Sequence, residues 1–168
     1  MALMIPVRAL AACSPVLREI LRSGVSSDRE FTRGLNALNS RNYPAALTDF
    51  RAVCARRPEH PDTWFYVALA ALRGQRPRTH FTPYIEEIGR LLEHAASLSP
   101  SQPHVLALWA VLKEDHHRVL GLDEGVPGAE KLRRAATSIT AEHAAEICDH
   151  VPAPETPTWR ELQRRRAH

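Results

Sequence analysis

Three side chains near the C-terminal end of the sequence have types that could do chemistry. His143, Glu146 and His150 stand at i, i+3 and i+7 of the stretch TAEHAAEICDH, so on a helix they share one face. Imidazoles and a carboxylate are metal ligands, which makes this trio the first candidate for a metal centre. Three ligands from one helix converge poorly beyond adjacent turns, and a histidine near a helix C-terminus is equally well placed by the macrodipole. No metal and no cofactor are therefore expected. The run Glu114-Asp115-His116-His117 is the densest polar cluster in the chain. Successive residues of a helix point about 100° apart, so these four cannot meet at one point, and a solvated helix end is expected.

Sequence motifs that carry catalysis are missing. There is no glycine-rich phosphate loop, no dinucleotide fingerprint, no nucleophile elbow, no HExxH and no deaminase zinc signature. An enzyme is not expected. The three cysteines, Cys13, Cys54 and Cys148, are far apart and form no CxxC pair, which fits a reducing cytoplasm. Leu10-Ala11-Ala12-Cys13 looks like a lipoprotein cleavage box, but Arg8 interrupts the apolar stretch and no positive segment precedes it. A cytoplasmic protein is the expectation. No stretch approaches the roughly 18–20 apolar residues of a membrane span, so no membrane partner is expected.

At 168 residues, 44% apolar and 24% charged, the chain has the composition of one soluble domain with a real core. Of its 22 basic residues only Lys113 and Lys131 are lysine, a bias typical of a GC-rich bacterial gene. Arg56, Arg57, Arg73, Arg76 and Arg78 could meet phosphates. No aromatic residues interleave with them, the tail has only three consecutive arginines, Arg164, Arg165 and Arg166, and the net charge is only +3, so nucleic acid is not expected as a partner.

The elements that must position these groups are helices. Ser14 and Pro15 open a segment with Leu17, Ile20 and Leu21 on one face and Gly24 as its stop, forming a short capping helix within residues 1–27. Helices are then expected at 28–39 and 43–56, from Pro61 through Leu72, at 83–98 and from Pro103. Two more are expected at 127–137 and 140–150, making residues 119–151 a helical cap. A Pro-rich connector and basic tail fill 152–168, where Trp159 and Leu162 would pin a short helix to the body. Seven to nine helices result.

The stretch GLNALNSRNYPAALTDFRAVCARRP sets the architecture. Gly34 allows close approach, Tyr43 opens the second helix, Ala46 fills the crossing, Phe50 is the large plug and Pro58 closes the unit. Trp64, Val67 and Ala68 repeat part of this pattern, as do Leu106, Trp109 and Ala110. In these residues the chain resembles the tetratricopeptide repeat (TPR) family, over residues 28–58, 61–100 and, in part, 103–118. Pro58 and Pro100 lie 42 residues apart, against about 34 for the family. The excess falls in the loop GQRPRTHFT, whose Pro77 excludes a continuous helix.

The resemblance implies an all-α fold, a short α-solenoid of antiparallel helix pairs with extra N- and C-terminal helices. It also implies a concave groove lined by the first helix of each pair. From the first pair come Asp28, Phe31, Leu35, Leu38 and Asn39; from the second come Asp62, Phe65, Leu69, Leu72 and Arg73. The third supplies His104, Ala107, Val111, Glu114 and Asp115. Family members that clamp a C-terminal carboxylate use Lys, Asn and Arg where this chain has Asp28, Phe31, Leu35 and Asp62, so that mode is not expected. The implied function is a non-catalytic protein-interaction adaptor or regulatory subunit that holds a helical or apolar segment. Phe31, Leu35, Phe65, Leu69 and Leu72 would form the floor, and Asn39, Arg73 and Asp115 would orient the partner.

Three alternatives accompany this reading. The floor residues could be the core of a tight bundle. The chain could be a structural subunit of a homodimer or larger assembly, or a nucleic-acid-associated regulator. The Leu17/Ile20/Leu21 helix could fill the groove or exchange with a second protomer, although capping is expected.

Overall fold

Prolines set the start of most helices, because a ring at the first turn costs no hydrogen bond that the helix would otherwise make. The computed structural model describes residues 15–119 and 129–167, with side chains described over 27–116 and 130–167. The helices are α1 (Pro15–Asn39), α2 (Tyr43–Arg56), α3 (Pro61–Ala71), α4 (Thr82–Leu98), α5 (Pro103–Val119), α6 (Ala129–Ala135), α7 (Ala141–His150) and α8 (Pro157–Arg166). Among the described residues there is no strand. Pro44, Pro61, Pro83 and Pro157 sit in the first turns of α2, α3, α4 and α8. Side chains cap three of the starts: Asn42 accepts from the Ala45 amide, Thr140 from His143 and Thr156 from Trp159. The loop before α4 holds a single 3₁₀ turn at Pro77–Thr79.

Gly24 does not end a helix. α1 runs unbroken from Pro15 to Asn39, so the expected boundary at residue 27 falls inside it. A lone glycine costs a helix about 1 kcal/mol but does not stop it unless the chain turns left-handed there. The Ser14 cap and the Leu17, Ile20 and Leu21 side chains lie outside the described residues.

Successive helices pack as neighbours from α1 to α6, and the α7/α8 hairpin folds back onto α3 and α5. The α1/α2 crossing is as close as a glycine allows. A Cβ on Gly34 would lie 2.7 Å from Phe50 Cε1, and Phe50 is fully buried. The turn after α1 is a complete Schellman motif: the Asn42 amide donates to Ala37 and the Arg41 amide to Leu38, each at 2.8 Å. Arg41 holds the left-handed position, at φ 57°, where glycine is the usual occupant.

α3 is the axis of the fold. Residues 65–72, FYVALAAL, are buried without exception, so this helix is covered on every side. α5 is nearly as enclosed, with Val105, Ala107, Leu108, Val111 and Leu112 at 2% exposure or less. Leu162 of α8 is fully buried and the Trp159 indole donates to the Val151 carbonyl at 2.7 Å, which fixes the last helix to the body.

Candidate functional site

The candidate site is the face that α3 and α5 present to α7, bordered by Tyr43 at the start of α2. α7 lies on it, and beside its buried Ala144, Ile147 and Cys148 stand polar and aromatic contacts. The Tyr66 hydroxyl donates to the Glu146 carboxylate, 3.0 and 3.1 Å from its two oxygens. Tyr43 Oη is 3.2 Å from His150 Nδ1, with the two rings edge to face. His104 Nε2 is 3.1 Å from Asp62 Oδ1, and the His104 ring stacks on His143 at 4.2 Å. Phe65 meets both imidazoles edge-on. Beside them Phe31, Phe50 and Tyr66 form an aromatic cluster with centroids 5.2–5.7 Å apart.

Burial perturbs the titrating groups of this interface. It holds the His143 imidazole below its ordinary value, and the neighbouring His104 adds to the effect. It lowers His150 too, with Arg41 contributing. The same desolvation pushes the Glu146 carboxyl up, opposed by the Tyr66 hydrogen bond, and raises Tyr66. Asp62 is lowered by its hydrogen bond with His104.

Of the residues expected to line an open groove, most are covered. Leu38, Phe65, Leu69, Leu72, Ala107 and Val111 are fully buried, and Phe31 and Leu35 are half-buried. Asn39 and Arg73 are exposed, Arg73 in a left-handed conformation at φ 52°. Asp28 is exposed and pairs with Arg57 at 3.1 Å. The physical reason is plain in α3. Its would-be groove face carries Phe65, Leu69 and Leu72, all fully buried, and α7 packs against α3 with His143 edge-on to Phe65.

The expected solvated end of α5 is corrected as well. Glu114, Asp115 and His116 are all buried, and Asp115 is fully so; the His117 side chain lies outside the described residues. A buried carboxylate requires donors, and both have them. Asp115 accepts from the Arg76 guanidinium at 2.8 Å and the Arg78 amide at 3.0 Å. Glu114 accepts from the Thr158 amide at 3.0 Å, the Thr158 hydroxyl at 2.8 Å and Arg133 at 3.0 Å. It thus caps the N-terminus of α8 from another helix, a favourable place for a negative charge. Asp115 is an internal anchor of the Arg76–Arg78 loop and does not stand on a rim.

The structure joins His143, Glu146 and His150 to Tyr43, Tyr66, Asp62 and His104, four residues that sequence reasoning did not group with them. The signal for an interface was present in α3, since a helix apolar on all sides must be covered on all sides. The identity of the partner helix had no local signal. Among the described residues no three His, Cys, Asp or Glu side chains are arranged to hold a metal ion. The imidazoles lie face to face, which points their nitrogens past each other.

A furrow of about 360 Å³ runs between α4 and α5, with Ile85, Gly89, Trp109 and Leu112 inside and Glu86 and Lys113 among its polar residues. The Lys113 ammonium sits 4.6 Å from the centre of the Trp109 ring. No described helix is long and apolar enough to cross a membrane. The chain matches no family model, no curated protein and no solved structure.

Proposed function

We propose that the protein is a non-catalytic interaction module of TPR-like build, an adaptor or regulatory subunit whose α3/α5 face takes an α-helix. One observation carries this reading: α7 is itself a helix seated on that face, through Tyr43–His150, Tyr66–Glu146 and the His104/His143 stack. The face therefore has the shape and chemistry to receive a helix, and an outside helix reaches Phe65 by taking the place of α7. Such a helix presents small or aliphatic residues where α7 has Ala144, Ile147 and Cys148, and a carboxylate for the Tyr66 hydroxyl. The TPR-like part of the reading is supported by the Gly34–Phe50 approach, by buried Ala46 and by the helix pairs α1/α2 and α3/α4. A cytoplasmic setting is proposed with it, in keeping with Cys54 and Cys148, which are free thiols.

The test uses Ala144→Arg, which sets a charge at a fully buried position of α7 and so unseats it. Amide exchange must first show α1–α5 still protected. Wild type and variant are then used to capture proteins from host lysate, with a peptide of residues 138–153 as competitor. A protein held better by the variant and released by the peptide supports the reading. Equal retention by both, indifferent to the peptide, overturns it.

A further inference from the structure

α7 contacts its receiving face with two imidazoles, one towards each end of the helix. His143 lies flat on His104 of α5, planes 12° apart and centroids 4.2 Å apart. Both rings of this stack are engaged at a nitrogen: His104 Nε2 with Asp62 Oδ1 at 3.1 Å, and His143 Nδ1 with Thr140 Oγ1 at 3.0 Å. His150, only 5% exposed, has its Nδ1 against the Tyr43 hydroxyl, with the ring planes 89° apart. A proton on His143 sets a cation flat against the His104 ring in a partly desolvated contact, where burial disfavours the charge. At the other site a protonated His150 can only donate from Nδ1 to the Tyr43 oxygen, and the charge it gains is carried at 5% exposure with Arg41 nearby, where burial disfavours it.

We propose that acidification releases α7 from the α3/α5 face, with His143 and His150 as the sensing groups and His104, Asp62 and Tyr43 as their receivers. The inference concerns the seating of α7 alone and stands whether or not an outside helix uses the vacated face.

The charges around each imidazole bear on the direction. His143 faces Asp62 from α3 and His104 from α5, with Glu142 on its own helix; burial and then His104 hold it low, and the two carboxylates do not reverse this. His150 has Arg41 from the α1/α2 turn and Asp149 on its own helix; burial and Arg41 lower it against Asp149. Both docked imidazoles are thus depressed. Their contribution to docking is complete above the free imidazole value near 6.5 and is lost as pH falls towards the docked values. Glu146 works in the opposite sense, because burial raises its carboxyl, so its protonation relieves a penalty as pH falls. Two depressed imidazoles act against one raised carboxyl, so release is the expected direction on entering the acid range.

The experiment is hydrogen exchange of the full chain at pH 7.5 and 5.5, with exposure times scaled for the intrinsic rate. Each depressed histidine steepens α7 opening by up to about tenfold per pH unit. The expected result is that α7 amides lose at least about tenfold protection at pH 5.5 while α2–α4 amides hold theirs. His143→Phe with His150→Phe removes the response. If circular dichroism shows that the double variant does not fold, the two single variants are read instead, each with a shallower response than wild type. Unchanged α7 protection in wild type overturns the proposal. So does loosening of all helices in step, which is global unfolding, or a full response in the variants.

Discussion

Substituting Gly34 by alanine puts a methyl group where the structure has no room. The new Cβ would lie 2.7, 2.9 and 3.1 Å from Phe50 Cε1, Cδ1 and Cζ, against about 3.5–4.0 Å for comfortable carbon contact. The ring cannot move aside, because Phe50 is fully buried, stacked on Tyr66 at 5.2 Å and edge-on to Phe31 at 5.7 Å. Overpacking of this kind costs about 1–3 kcal/mol. Alanine returns up to about 1 kcal/mol of helix propensity over glycine. The net expectation is a loss of about 1–2 kcal/mol, a fall in Tm of about 3–6 °C at this chain length. Denaturant unfolding measures it, with a second variant for specificity. Phe50→Leu alone leaves space at the crossing, and in the double variant the Gly34→Ala methyl occupies part of that space. The double variant is therefore expected to lose at least about 0.5 kcal/mol less than the sum of the singles. A neutral or stabilising Gly34→Ala, or strict additivity, would refute the claim that this contact sets the α1/α2 crossing.

Other substitutions test the remaining joints. Arg41→Gly is expected to stabilise the chain by about 0.5–1 kcal/mol, since it relieves a left-handed arginine in the Schellman turn; a lower melting temperature would count against it. Glu114→Ala strands the buried Thr158 amide and hydroxyl, for an expected loss of about 2–4 kcal/mol in chemical denaturation, with α8 exchanging its amides first. Tyr66→Phe takes the hydroxyl donor from Glu146 and is expected to cost about 1–3 kcal/mol at pH 7. The Glu146 carboxyl is already raised by burial, so its contribution is fully present below about pH 4.5 and is lost as pH rises. The Tyr66→Phe deficit should accordingly shrink between pH 7 and pH 5 in urea titrations, and a deficit that grows on acidification would be inconsistent with that sign.

Local chemistry made much of the chain legible. Pro61, Pro83, Pro103 and Pro157 each mark a helix start, and the Gly34, Ala46, Phe50 spacing located a crossing in which the structure does bring Gly34 and Phe50 together. Gly24 misled, because a glycine's helix penalty and a glycine's stop look alike until the residues beyond it are placed. Glu114 and Asp115 misled for a related reason. Charges at a helix end read as solvated when their donors, Arg76, Arg78, Arg133 and Thr158, are distant in sequence and belong to other elements.

What the sequence determined by itself was most of the helices, α1 excepted, because caps, prolines and apolar spacing act within a few residues of one another. It also held one long-range constraint: FYVALAAL, α3 with its C-cap Leu72, must be shielded on every side. Only the tertiary structure decided which element does the shielding. Covering one helix with another depends on the hairpin α7/α8 returning across the chain, and the energies that select it are spread over Tyr43, Tyr66, Glu114 and Leu162, none of which announces its partner locally. The same return turned a face read as an open floor into an occupied one, and brought His143 onto His104.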